Sequence, residues 1–93
     1  MKKISPQETD IIGKWIEIEG SLIGNDNCKR IEWLVNKVLD KIATDSSGWD
    51  VLFKDRDDGR FWELTYPQSE MHGGGAPRLR CIAPEDARKK YPL

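Results

Sequence analysis

The side chains of this chain best suited to chemistry are one histidine, two cysteines and a set of clustered carboxylates. His72 stands in the run Glu70-Met71-His72-Gly73-Gly74-Gly75. An imidazole there could act as a general base or a ligand, with Glu63 or Glu70 as its acid partner. No serine, cysteine or acid stands at a recognisable motif spacing from it, and no second histidine could share a metal. Cys28 and Cys81 lie 53 positions apart, without the paired-ligand spacing of a zinc site. Both fall in apolar patterns and read as reduced, buried small hydrophobes. Gly73-Gly74-Gly75 is followed by Ala76-Pro77 and a strand. A phosphate loop needs Lys-Ser/Thr and a helix at that point, so the glycines read as backbone devices. Asp55-Arg56-Asp57-Asp58-Gly59 is too short for a calcium loop and is interrupted by Arg56. It reads as a solvated turn or as an acidic contact surface for a basic partner. None of these patterns is a recognisable catalytic or metal-ligating motif, and His72 remains the one candidate for either role.

Trp15, Trp33, Trp49 and Trp62 are four indoles in 93 residues. Trp62 falls on the apolar side of a strand. Trp15 and Trp33 sit beside apolar stripes rather than in them, which makes them candidate exposed anchors for a protein partner. Glu17, Glu19 and Glu32 flank them and would repel phosphates, which argues against nucleic-acid stacking.

Several elements must position these groups. Ser5-Pro6-Gln7-Glu8 carries the signals of a short helix start, ended by Gly13. A strand follows over about Lys14 to Glu19, with Ile16 and Ile18 on one face and Trp15, Glu17 and Glu19 on the other. Asp26 to Ala43 reads as the main helix, capped by Asn25 or Asp26. Ile31, Leu34, Val35, Val38, Leu39 and Ile42 form its apolar stripe. A hairpin follows. With Asp58-Gly59 as a two-residue turn, Phe53 faces Leu64 and Val51 faces Tyr66. Val51, Phe53, Trp62, Leu64 and Tyr66 then share one side, and Lys54 faces Glu63 on the other. Arg78 to Ala83 reads as a last strand, with Leu79 and Cys81 on one face, and Pro84-Glu85-Asp86 opens a helical turn.

The expected architecture is α+β: one amphipathic helix packed on a small, mainly antiparallel sheet of about four strands. Ninety-three residues with 38% hydrophobic and 33% charged side chains allow one domain, residues 1–93, with one modest core. The longest apolar runs are three residues, far short of the about 20 that span a membrane. Pro6, Gln7, Glu8 and Asp10 interrupt any apolar stretch after Lys2-Lys3, so the expected location is the cytoplasm. A net charge of −1 argues against a general nucleic-acid binder. The charge is unevenly placed. Residues 45–70 carry three basic and seven acidic side chains, net −4, and residues 71–93 five basic and two acidic, net +3. Such asymmetry suits a charged protein partner.

The stretch Trp62-Glu63-Leu64-Thr65-Tyr66-Pro67-Gln68-Ser69-Glu70-Met71-His72-Gly73-Gly74-Gly75-Ala76-Pro77, with Ile12-Gly13-Lys14-Trp15 before it, resembles the signature of the immunity protein 27 family of bacterial polymorphic toxin systems. The resemblance implies a non-enzymatic, cofactor-free protein that binds and neutralises one cognate toxin. Its motif residues Trp62, Glu63, Tyr66, Pro67, Gly73, Gly74, Gly75 and Pro77 would then maintain the fold. The contact surface would be drawn from Asp55, Asp57, Asp58, Glu70, His72 and Trp33. The competing readings are a small enzyme using His72 with Glu63 or Glu70, and a generic protein-binding adaptor. A monomer is expected, with no membrane or nucleic-acid partner.

Overall fold

In a computed structural model of the chain, the structure describes residues 1–67 and 75–93. His72, Glu70, Gly73 and Gly74, all singled out from the sequence, lie outside the described residues. The strands are β1 (Asp10–Ile12), β2 (Trp15–Ile18), β3 (Ser21–Gly24), β4 (Asp40–Thr44), β5 (Val51–Lys54), β6 (Phe61–Thr65) and β7 (Arg78–Ile82). The helices are α1 (Asp26–Trp33), continued by a π-helical turn over Leu34–Val38, and α2 (Pro84–Lys90). Five strands form one sheet in the order β1-β7-β6-β5-β4, antiparallel throughout, and among the described residues β2 and β3 pair only with each other.

The fold is therefore α+β, with two helices instead of one and five sheet strands instead of about four. Both faces of the sheet are covered. Against α1 and the π turn pack Ile11, Phe53, Trp62, Leu64 and Leu79, with Ile31, Leu34 and Leu39 opposite. Against α2 packs a second cluster, in which Leu52 meets Ala87 and Tyr91, with Phe61 and Ile82 alongside. The single core expected from chain length is thus two apolar clusters separated by the sheet.

The main helix changes to a π turn after Trp33 and ends at Val38, five residues earlier than its periodicity suggests. Asn25 caps it as expected, its side chain accepting the Cys28 N–H at 3.0 Å. The amide of Leu39 donates to the Leu34 carbonyl at 2.8 Å, a wide turn that closes the helix. Leu39 itself is extended (φ −88°, ψ 152°), which turns the following residues into the outer strand β4. Tertiary pairing with β5 overrides helical spacing here. Ile42, expected in the helix stripe, is exposed on β4, and within α1 itself only Ile31 is fully buried.

The β5–β6 hairpin forms with a register two residues from the expected one. Phe53 pairs with Trp62, Val51 with Leu64, and Lys54 with Phe61 rather than Glu63. An even shift preserves the faces, so Val51, Phe53, Trp62 and Leu64 point to the α1 side as the alternation requires. Tyr66 lies beyond the pairing and is partly exposed. The cause is a longer loop. Asp55 N–H donates to the Arg60 carbonyl at 2.9 Å and Gly59 N–H to the Asp55 carbonyl at 2.8 Å, with Gly59 at φ +76°. Near the start of the chain, Ser5–Glu8 makes one closed turn and no helix. Ser5 N–H donates to Glu8 Oε1 at 2.9 Å, and Glu8 N–H to the Ser5 carbonyl at 3.1 Å. Strand β1, unexpected from the sequence, follows it.

Candidate functional site

The acidic hairpin tip is organised by its own side chains. Asp55 is only 4% exposed, because its carboxylate turns inward and accepts the Asp57 N–H at 2.8 Å. It is a loop-forming residue and drops out of the expected contact surface. Asp57 and Asp58 stay exposed, and each has a cation. Asp58 Oδ2 lies 2.6 Å from Arg60 Nε, and Asp57 3.8 Å from Lys3 Nζ. The negative charge of this tip is largely matched from within.

Arg60 does more than balance Asp58. Its guanidinium lies 5.0 Å from the Trp62 ring centroid and donates to the carbonyls of Glu8 at 2.7 Å and Ser5 at 3.0 Å. Arg30 grips the same segment, with two 2.7 Å bonds to the Glu8 carboxylate and 2.9 Å bonds to the carbonyls of Lys2 and Lys3. The bidentate Arg30 pair holds the Glu8 carboxyl at about 2, below its ordinary 4.5.

Glu63 is the most deeply buried acid among the described residues. It leaves the sheet on the α2 side, where Tyr91 OH donates to Oε2 at 2.7 Å. Lys90 Nζ approaches the same oxygen at 2.7 Å, and Arg80 Nη2 lies 3.1 Å from Oε1. Lys90 also bridges to Asp50 at 2.7 Å. Burial works to raise the Glu63 carboxyl and is overcome by Lys90, Tyr91 and Arg80, which hold it below the usual carboxylate range. The Tyr91 hydroxyl is pushed up by burial and by the Glu63 charge. Both oxygens of Glu63 are thus committed, and an ionised carboxylate so held serves as an anchor for α2 more readily than as a proton carrier.

The other motif residues are distributed between core and rim. Trp62 is fully buried, and its indole N–H meets no acceptor among the described residues. Gly75 is buried, Pro77 half-buried and Pro67 exposed. The Pro77 carbonyl accepts the Gly13 N–H at 2.9 Å. A Cβ on Gly13 would lie 2.6 Å from that carbonyl oxygen and 2.7 Å from Cys28 Sγ, so two parts of the family-like sequence meet at one tight junction. Cys28 and Cys81 are free thiols and only half-buried. Among the described residues, no group of three or more His, Cys, Asp or Glu side chains could hold a metal ion.

Trp33, expected at the surface, is half-buried and packs on the α1-side cluster. The exposed indoles are Trp49, at the β4–β5 turn and 68% exposed, and Trp15. Trp15 borders a groove of about 690 Å³ between the β2–β3 hairpin, α1 and the sheet. Ile23, Val35, Phe53, Leu64 and Tyr66 supply much of its apolar wall. Sequence reasoning missed the hairpin that frames this groove. Glu19-Gly20 between two four-residue strands was the available signal, with φ +50° and +81°.

The structure combines an anchored five-stranded sheet, an apolar groove and an outlying hairpin. The family model for Immunity protein 27 matches residues 17–83, which run from β2 through β7. The chain belongs to that family. No curated protein and no solved structure matches it. No described helix is long and apolar enough to cross a membrane.

Proposed function

We propose that this protein is an immunity protein that binds one cognate toxin domain, one to one, and neutralises it by covering its active site or another essential surface. It acts as a monomer in the cytoplasm of the cell that makes the toxin or of its siblings, and it needs no cofactor. The match to the Immunity protein 27 family over residues 17–83 carries this reading. The committed carboxylate of Glu63 favours it over an enzyme built on His72 and Glu63.

Co-expression tests it. The toxin domain encoded beside this chain should kill host cells alone and spare them when this protein is present. Equal killing with and without the protein would refute the reading. Full protection by His72→Ala would end the enzyme reading.

A further inference from the structure

The β2–β3 hairpin stands apart from the five-stranded sheet, and every residue of β2 is exposed. Its register puts Ile16, Ile18 and Ile23 on one side and Trp15, Glu17 and Leu22 on the other. Aliphatics on both sides lie open, with Ile18 50% and Leu22 64% exposed. A two-stranded ribbon does not hold on its own, and this one is fixed at its base. Asn25 N–H donates to the Lys14 carbonyl at 3.0 Å, and Gly24 sits so close to Cys28 that a Cβ would lie 2.7 Å from the cysteine Cβ.

Open strand edges invite unwanted pairing and are usually blunted by charge, proline or bulges. Strand β4, an outer edge of the main sheet, has such protection: Asp40, Lys41 and a register irregularity between Lys41 and Ala43. The hairpin has no lysine, arginine or proline anywhere from Trp15 to Gly24, and its only charges are Glu17 and Glu19. Glu19 occupies the left-handed region at φ +50°, where glycine or asparagine would relieve a strain of about 1–2 kcal/mol. The turn thus keeps an acid at the tip of an aliphatic arm at a conformational cost.

We infer that the β2–β3 hairpin is the docking arm for the toxin domain, and that the toxin surface it enters is a cationic cleft with an apolar floor. This rests on the immunity reading above. The groove adjoins the base of the arm, where Trp15 and Ile23, from its two sides, both line it. Arm-to-arm pairing of two copies would bring Glu17 and Glu19 towards their own copies with no hairpin cation to offset them; an arm seated in the groove of a second copy would meet Lys29 and Lys41 beside Glu32, and sedimentation separates that case. A basic cleft pairs with the same acids and gains association rate from them.

The probe is the purified toxin domain encoded beside this chain, immobilised for binding kinetics. Ile18→Lys with Leu22→Lys should weaken binding at least 100-fold. Glu17→Lys with Glu19→Lys should slow association about tenfold and remove most of its salt dependence. Asp57→Lys, at the charge-matched tip, should bind within threefold of wild type. All these side chains are exposed, so thermal midpoints should stay within about 2 °C. Wild-type binding with both hairpin pairs unaffected would overturn the inference and leave the immunity reading standing. Failure of the wild type to bind or protect would overturn both. A wild-type dimer in sedimentation that the hairpin substitutions dissociate would make the arm a self-association face and also overturn it.

Discussion

Replacing Glu63 with glutamine isolates what the buried carboxylate contributes, because the amide keeps the shape and loses the charge. Three donors converge on the acid: Tyr91 OH and Lys90 Nζ at 2.7 Å each, and Arg80 Nη2 at 3.1 Å. Hydrogen bonds to charged groups contribute about 1.5–3 kcal/mol, against about 0.5–1.5 for neutral ones. Three bonds each weakened by about 1 kcal/mol set a ceiling near 3. Lys90 and Arg80 are 38% and 49% exposed, so water recovers part of that loss, which leaves about 2 kcal/mol. For a domain of this size that lowers the thermal midpoint by about 8–16 °C at neutral pH. Glu63 titrates lower folded than unfolded, so its contribution is present above the unfolded value and fades as pH falls through the folded one. The gap between the two proteins should therefore shrink in acid. Circular dichroism melts between pH 7 and pH 3 read both effects. A midpoint within 2 °C of wild type at pH 7 would refute the anchor role. Loss of protection in cells with an unchanged midpoint would instead give Glu63 a direct part in function.

Other substitutions test the remaining contacts. Glu8→Gln removes the Arg30 clamp, for which a fall from 4.5 to about 2 sets a ceiling of about 3 kcal/mol at neutral pH; allowing for partial exposure, urea unfolding should show about 2, vanishing as pH falls from 4.5 towards 2. Gly13→Ala forces a Cβ to within 2.6 Å of the Pro77 carbonyl oxygen and should cost about 2–3 kcal/mol in the same assay. Gly20→Ala, in open space at φ +81°, should cost only about 1–2. Asp55→Ala should lower stability by about 1–2 kcal/mol through the lost Asp57 N–H partner, whereas Asp57→Ala should stay within about 0.5.

What could be read from the sequence was what depended on period. Alternation from Val51 to Leu64 gave the correct faces of β5 and β6, and Leu79 and Cys81 did the same for β7. Loop chemistry was harder. Asp58-Gly59 looked like a two-residue turn, but the Asp55 side chain organises four residues and shifts the pairing by two. The stretch from Leu34 to Ala43 keeps helical spacing and becomes a π turn and a strand, because β5 offers pairing that periodicity does not register. Of the candidate contact residues, Asp57 and Asp58 are at the surface, and Asp55 and Trp33 turn inward. The anchor at Glu63 was hidden because its donors, Lys90 and Tyr91, lie nearly thirty positions away. Ala87 and Tyr91, four apart, were the faint trace of a second buried helix.

The pairing of β1 with β7 sets a timetable for synthesis. Ile12 meets Arg78, and Asp10 bridges to the same arginine, so the first sheet strand waits for the last. At roughly 5–20 residues per second, a ribosome takes several seconds to cover that interval. Until then Ile11 has no neighbouring strand, and the sheet cannot close. Such long-range contacts also slow folding once the chain is free. Folding therefore lags synthesis: the five-stranded sheet closes only after β7 has been made, with β1 left waiting as an unpaired strand.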